Sequence, residues 1–294
     1  MRSWLYVPAD DDRKLAKIDA SGADAIVLDL EDSVAATNRD AARGKARAIL
    51  DARPPAARTR QLWVRVNPLD DAALVDLAAV VGGAPDGVIL PKIEGAADVA
   101  RLGFHLDALE VREGLPQGSV RICAVATETP AATLRLAEFA GAKLPRLSAL
   151  CWGAEDLSAA LGASTNLDDS GRWALTFRWA RSAMLLAAKA AGVEAVETVY
   201  VNYRDSAGLE ASSRAAAQEG FTGRVAIHPG QVAPINRAFA PSAEDVELAR
   251  RIVAAFEKEG GVGTVGIDGK MFDIPHLKRA SSLLARHEMF SRRS

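Results

Sequence analysis

Eight short runs rich in β-branched and aromatic residues alternate with longer stretches of helical spacing along most of this chain, and few folds accept that rhythm. The runs cover residues 3–7, 25–30, 62–66, 87–90, 120–126, 148–152, 196–201 and 224–227. Between them apolar residues recur at three- and four-residue intervals, as in Ala46/Ile49/Leu50 and Leu74/Leu77/Val80/Val81, the period of a helix with one buried face. Asp10 to Asp12, Thr37 or Asn38, and Ser242 supply side-chain oxygens where helices should begin. The runs are mostly continuous apolar segments rather than alternating ones, as expected of strands covered by protein on both faces. Eight βα units of this kind predict an α/β fold closed into a (β/α)8 TIM barrel. An open doubly wound sheet is the competing arrangement, and it is disfavoured because no GxGxxG follows the first run.

The barrel is expected to occupy residues 1–240, leaving 241–294 as a C-terminal helical extension. In that tail Pro241-Ser242 opens a helix ending near Glu259, and a linker with Gly260, Gly261, Gly263 and Gly266 leads to a final helix from about Pro275. Such a linker gives the tail the reach to act as a lid and contact a neighbouring subunit.

The 294 residues are 49% apolar and 25% charged, with a net charge of −2 and both signs mixed throughout. No chain-wide basic field exists to hold nucleic acid or an anionic membrane, so an anionic ligand must be gripped locally. The first apolar run begins almost at the N-terminus, which leaves no room for a secretory leader, and no apolar run approaches spanning length. Cys123 and Cys151 lie 28 positions apart inside apolar runs and read as reduced core residues. A cytoplasmic location follows as an expectation.

In a barrel the catalytic face lies at the carboxyl ends of the strands. The polar residues there are Tyr6; Asp29, Glu31 and Asp32; Arg65 and Asn67; Lys92 and Glu94; Glu128; Glu155 and Asp156; Asn202, Tyr203 and Asp205; and His228. So many carboxylates with so few histidines point to a hard cation such as Mg²⁺ rather than zinc. Glu128 and Asp156 follow consecutive strands and are the candidate ligands, with helix capping as the alternative use of either. Arg65 lies in an apolar strand, and it requires an anionic partner there: either a structural salt bridge to Asp29 or Glu31, or a substrate oxygen that gains negative charge. Arg13 and Lys17 are four apart and share a helical face. They read as a solvated charged face, or, at the barrel mouth, as a grip for phosphates. An ion pair with Glu94 is expected for Lys92 in preference to a Schiff base. His228, before Pro229-Gly230, reads as structural. By spacing alone, Asp268 and Asp273 read as caps of the last helix.

Nine of these segments, in order, resemble the citrate lyase β-subunit-like family, and most closely its stand-alone citramalyl-CoA and malyl-CoA lyase branch. They run from Arg2-Ser3-Trp4-Leu5-Tyr6-Val7-Pro8, through Val27-Leu28-Asp29-Leu30-Glu31-Asp32, Val64-Arg65-Val66-Asn67, Leu90-Pro91-Lys92-Ile93-Glu94, Thr127-Glu128-Thr129 and Trp152-Gly153-Ala154-Glu155-Asp156. Tyr200-Val201-Asn202-Tyr203-Arg204-Asp205, Ala226-Ile227-His228-Pro229 and Met271-Phe272-Asp273-Ile274-Pro275 complete them. The resemblance implies Mg²⁺ on Glu128 and Asp156, with Arg65 on the thioester or enolate oxygen. It also implies that Tyr6, Arg13 and Lys17 lie along CoA, that Asp273 acts as acid or base across a subunit interface, and that the protein is a homo-oligomer, a trimer. The implied reaction cleaves a 3-hydroxyacyl-CoA bearing a carboxylate to acetyl-CoA and a 2-oxo acid, both small-molecule partners. A citrate lyase β subunit acting on a carrier-protein thioester is one alternative. The other is a CoA-independent 2-oxo acid aldolase, which typically has a His base near an early strand, and the first two strands here have none. Ala9, Thr127 and Asn202 depart from the family pattern of Gly, an apolar residue and Asp; Ala9 bears on the approach of the loop to the cofactor, and Asn202 on substrate choice.

Overall fold

The computed structural model describes residues 1–291. Contacts divide the chain into two compact units, one from Met1 to Asn236 and one from Arg237 onward. In the first, strands β1 (Ser3–Pro8), β2 (Ala25–Asp29), β3 (Gln61–Arg65), β4 (Gly87–Leu90), β5 (Arg121–Val125), β6 (Leu147–Cys151), β7 (Glu194–Glu197) and β8 (Gly223–Ala226) pair in order. All neighbours are parallel, and β8 pairs back onto β1 through Trp4 and Val225. The result is the closed barrel predicted, and the open sheet is excluded.

Helices α1 (Asp12–Leu15), α2 (Arg39–Asp51), α3 (Ala73–Val80), α4 (Ala96–Glu113), α5 (Pro130–Leu134), α6 (Ala154–Leu161), α7 (Leu175–Ala190) and α8 (Ser206–Glu219) follow the strands in turn. Several begin on side-chain caps: Asp11 accepts from Lys14 N at 3.0 Å, Thr129 from Ala132 N at 3.0 Å and Asp205 from Gly208 N at 2.9 Å, each satisfying an N–H that the first turn leaves without a partner. α9 (Val232–Phe239) crosses the division between the units.

The barrel interior is filled by residues taken from alternate strand positions, among them Trp4, Val27, Trp63, Cys123, Cys151 and Val196. Trp4 and Trp63 meet with ring centroids 4.9 Å apart. Cys123 and Cys151 are both free and buried, and burial pushes both thiols well above their ordinary pKa.

The seventh strand is shorter than predicted and starts earlier. The β-branched run through Val201 reads as strand, but the ladder ends at Glu197 because Val196 pairs with Cys151, the last residue of β6. Past Cys151 β6 has no strand residue left for β7, and the pairing with β8 stops at Glu197↔Arg224. Thr198 and Tyr200 instead receive bonds from Ala154 N and the Gln231 side chain.

The C-terminal unit contains α10 (Ala243–Glu259), β9 (Thr264–Ile267), β10 (Lys270–Asp273) and α11 (Ile274–Ser291). Ser242 caps α10 as expected, its hydroxyl accepting from Asp245 N at 3.1 Å. The β9–β10 hairpin was not predicted. Its signal is Asp268-Gly269, both in the left-handed region (φ 51° and 73°), the geometry of a two-residue hairpin turn. Asp268 pairs with Arg251 at 2.8 Å rather than capping α11. Among the described residues no helix is long and apolar enough to cross a membrane.

Candidate active site

A cavity of about 590 Å³ opens at the carboxyl ends of the barrel strands. Tyr6, Arg65, Glu128, Asp156, Arg13 and Lys17 all line it, together with Lys14, Asp29, Trp152, Thr198 and His228. Six of the seven residues singled out from the sequence therefore share one pocket, and its lining comes wholly from the barrel unit. The seventh, Asp273, belongs to the C-terminal unit. There it accepts from His276 N at 3.3 Å in the first turn of α11, the capping role that its spacing predicts, and its contact with the His276 ring holds its carboxyl below the usual range.

Arg65 ends β3 and is the register partner of Asp29 on β2. Its Nε and Nη2 donate to the two Asp29 oxygens at 2.7 and 2.6 Å, the bidentate fork that a planar guanidinium favours. Nη1 lies 2.7 Å from Glu31, but that oxygen receives no well-angled hydrogen bond. Of the five N–H donors of an arginine, two are thus committed to Asp29, and Nη1 is held at ion-pair distance by Glu31 while the residue still lines the cavity. Asp29 and Glu31 supply the structural salt bridge weighed for Arg65, and its place in the cavity lining leaves the second use open to it. These carboxylates keep Arg65 firmly protonated. The Tyr6 ring lies beneath it, 5.1 Å from ring centroid to guanidinium carbon.

Glu128 follows β5 and is buried. It does not cap α5, because Thr129 does. It accepts a hydrogen bond from the backbone N–H of Lys92. Burial, and next the charge of Asp156, push its pKa up from 4.5 to about 8. Asp156 stands in the first turn of α6, whose capping position is Gly153 with no side-chain bond. A Cβ on Gly153 would lie 2.7 Å from Glu128 Cγ, so the glycine lets these two segments pass. Both carboxylates are free of the structural use that the sequence left open to them.

Lys92 does not pair with Glu94. Its ammonium contacts Glu31, lies 2.9 Å from Asp32 and 3.7 Å from Asp156, while Glu94 reaches Arg135 at 3.6 Å. Side chains two apart share a face only along an extended strand, and at Lys92 the backbone turns into the left-handed region (φ 50°). That turn aims the Lys92 N–H at Glu128 and its side chain at the acidic loop after β2. The cluster of Glu31, Asp32, Lys92 and Asp29 escaped the sequence reading because it joins residues about 60 positions apart.

His228 has the structural part expected: its Nδ1 accepts from Gly230 N at 3.1 Å and Gln231 completes a capping box. Its ring also stacks on Tyr203, with centroids 5.0 Å apart.

Five carboxyl groups (Asp29, Glu31, Asp32, Glu128 and Asp156) meet two cations here, Arg65 and Lys92. Among the described residues no three His, Cys, Asp or Glu side chains converge as a ready-made metal cage. A buried carboxyl held by a backbone N–H beside a second carboxyl fits a hard cation that takes one or two protein oxygens and completes its shell with water and substrate.

The fold and the acidic strand exits define a (β/α)8 barrel with its candidate site at the carboxyl face, and its similarity to named lyases makes it a carbon–carbon lyase. The chain belongs to the HpcH/HpaI aldolase/citrate lyase family, whose model matches residues 2–229; a second model, for carbon–carbon bond lyases of the TIM-barrel fold, matches residues 186–291. The resemblance carried by the nine motifs is borne out. The chain is 32% identical to mitochondrial citramalyl-CoA lyase of Homo sapiens, over 96% of this chain and 84% of that one. It is 36% identical to the citrate lyase subunit beta of Haemophilus influenzae, over 97% and 96%. The crystal structure of CitE from Mycobacterium tuberculosis in complex with magnesium, acetoacetate and coenzyme A matches with a TM-score of 0.77 and 34% identity, covering 98% of each chain.

Proposed function

We propose that this chain is a stand-alone, Mg²⁺-dependent lyase that reversibly cleaves a 3-hydroxyacyl-CoA bearing a carboxylate, of the citramalyl-CoA, malyl-CoA or citryl-CoA type, into acetyl-CoA and a 2-oxo acid. The observation that carries it is the meeting, in one cavity, of two carboxylates that cap no helix, Glu128 and Asp156, with an arginine fixed by Asp29. The similar CitE structure is a complex with magnesium, acetoacetate and coenzyme A, ligands that suit such a donor set.

Glu128 and Asp156 would hold Mg²⁺, which when bound supplies Lewis acidity and a template for the oxygens of the oxo acid. Arg65, held by Asp29, would face the thioester oxygen: as the carbon–carbon bond breaks its electron pair forms the enolate C=C and the thioester carbonyl π pair moves onto oxygen, where the fixed charge stabilises it without reorganisation. Tyr6 lies under that guanidinium and borders the thioester arm. Arg13 and Lys17, on the rim, grip the phosphates of CoA, and Lys14 beside them extends the same basic edge. Cleavage releases the proton of the 3-hydroxyl as the new carbonyl forms, and the enolate carbon must gain one; Asp273 of a neighbouring copy in a homotrimer, ionised at rest, would take up a proton and deliver it to that carbon, and would be the base that removes it in the condensation direction.

The identity to a citrate lyase β subunit, 36%, is above the 32% to a citramalyl-CoA lyase, which keeps one second reading in view, action on a carrier-protein thioester within a complex. Both are tested by incubating the purified chain alone with racemic citramalyl-CoA, malyl-CoA and citryl-CoA, with Mg²⁺ and with EDTA. Mg²⁺-dependent release of acetyl-CoA and 2-oxo acid from any of them is the expected result. Silence on all three, with activity restored by carrier-bound substrate, would overturn the stand-alone reading.

A further inference from the structure

Glu197, the last residue of β7, is fully buried, and groups from three other elements engage its carboxylate. One oxygen accepts the indole N–H of Trp152 at 2.5 Å and the backbone N–H of Thr198 at 3.0 Å. The other accepts from Arg181 Nε of α7 at 2.7 Å and lies 3.9 Å from Arg224 of β8. Balancing Arg181 and Arg224 accounts for the second oxygen. That role does not reach the first oxygen, whose indole partner needs an acceptor when buried but not a charged one.

Trp152 is itself fully buried, lines the cavity and packs edge-on against Trp173 with centroids 5.0 Å apart. It immediately precedes Gly153-Ala154-Glu155-Asp156, the segment that brings Asp156 to the pocket. Thr198, next after Glu197, offers its hydroxyl to Ala154 N at 3.5 Å, so two consecutive residues at the end of β7 grip two points of that segment. The third grip is Thr127, whose hydroxyl accepts from Gly153 N at 3.1 Å. Between these grips Gly153 passes Glu128 Cγ with no room for a Cβ. A tilt of the Trp152 ring therefore displaces the approach to Asp156 and presses on Glu128 together.

We propose that Glu197 is a positioning residue for the metal-binding carboxylates, acting through the indole N–H of Trp152 to fix the segment that carries Asp156. The inference rests on the Mg²⁺ reading of Glu128 and Asp156. A charge-assisted bond to a buried donor is the strong kind, and partners behind a metal ligand commonly govern affinity by tenfold or more.

The test is Mg²⁺ binding to the full chain by isothermal titration calorimetry, without substrate, for wild type, Glu197→Gln, Trp152→Phe, the double variant and Arg181→Gln. Trp152→Phe removes the donor and keeps an aromatic ring; Arg181→Gln removes the bond to the other oxygen, together with the Arg181 pair to Glu219 and its contact over Phe221, and leaves the Trp152 bond in place. The expected result is about a tenfold weaker Mg²⁺ affinity in Glu197→Gln and in Trp152→Phe, no further loss in the double variant, and wild-type affinity in Arg181→Gln despite a lower Tm. Affinities within twofold of wild type for Trp152→Phe, multiplied losses in the double variant, or an equal loss in Arg181→Gln would each overturn it. Should Glu197→Gln fail to fold, Trp152→Phe against Arg181→Gln still decides. A wild-type chain that takes up no Mg²⁺ would instead bring down the metal reading itself, and this inference with it.

Discussion

Removing the metal should make this protein sensitive to pH through Glu128, and the size of the effect follows from its surroundings. Its carboxyl is 3% exposed, has the Lys92 N–H as a hydrogen-bond donor and lies in the field of Asp156. In the folded, metal-free chain it keeps its proton to about pH 8, whereas in the unfolded chain it loses it near 4.5. Between those values the folded state binds more protons than the unfolded state, so raising the pH destabilises the fold; below about 4.5 the term vanishes. Each pH unit across that window is worth about 1.36 kcal/mol, which makes the loss on the order of 5 kcal/mol by pH 8. Glu128→Gln retains an acceptor for Lys92 N–H and carries no charge. In EDTA it should therefore be more stable than wild type at pH 8, by an amount that disappears near pH 5. Denaturant unfolding of both proteins from pH 5 to 8.5 measures the difference directly. Parallel pH profiles for the two would refute the reasoning, since they would mean that Glu128 ionises in the folded chain as it does in water. Added Mg²⁺ should stabilise wild type most at high pH and leave Glu128→Gln nearly unmoved, because the ion must displace the Glu128 proton.

Arg65→Lys should lower kcat by about a hundredfold, since an ammonium cannot hold Asp29 with two parallel bonds and still face the thioester oxygen; steady-state kinetics at saturating acyl-CoA is the check, and an unchanged kcat would remove Arg65 from the chemistry. Asp273→Ala should keep Mg²⁺ and CoA binding while turnover falls by about a hundredfold or more, and full turnover would leave Asp273 only its capping role. Arg13→Ala and Lys17→Ala should each raise KM for the acyl-CoA roughly fivefold with kcat unchanged, the effect shrinking at high salt; a fall in kcat instead would place them at the reacting atoms.

The rhythm of apolar runs was enough to determine the barrel. Eight segments that must be covered on both faces, each followed by an amphipathic helix, leave almost no other arrangement. Local chemistry was equally legible where it stays local, as in the Ser242 cap and the His228 turn. The Asp268-Gly269 hairpin was readable in principle, because two residues with positive φ are its own signature, but the glycines around it masked the signal.

What the linear chain withheld was partner choice. Asp29 meets Arg65 because parallel register sets those two positions side by side on adjacent strands, whereas Lys92 misses Glu94 because one left-handed residue turns the chain before the strand period can apply. Glu197 carries no signal of its own in the sequence; only the closure of β6, β7 and β8 and the packing of α7 put Trp152, Arg181 and Arg224 around it. Hydrophobic periodicity is a property of neighbours in sequence, so the sequence alone determined the elements and their order. Hydrogen bonds and ion pairs are properties of neighbours in space, set by register, twist and the point at which each strand stops, and those only the tertiary structure decided.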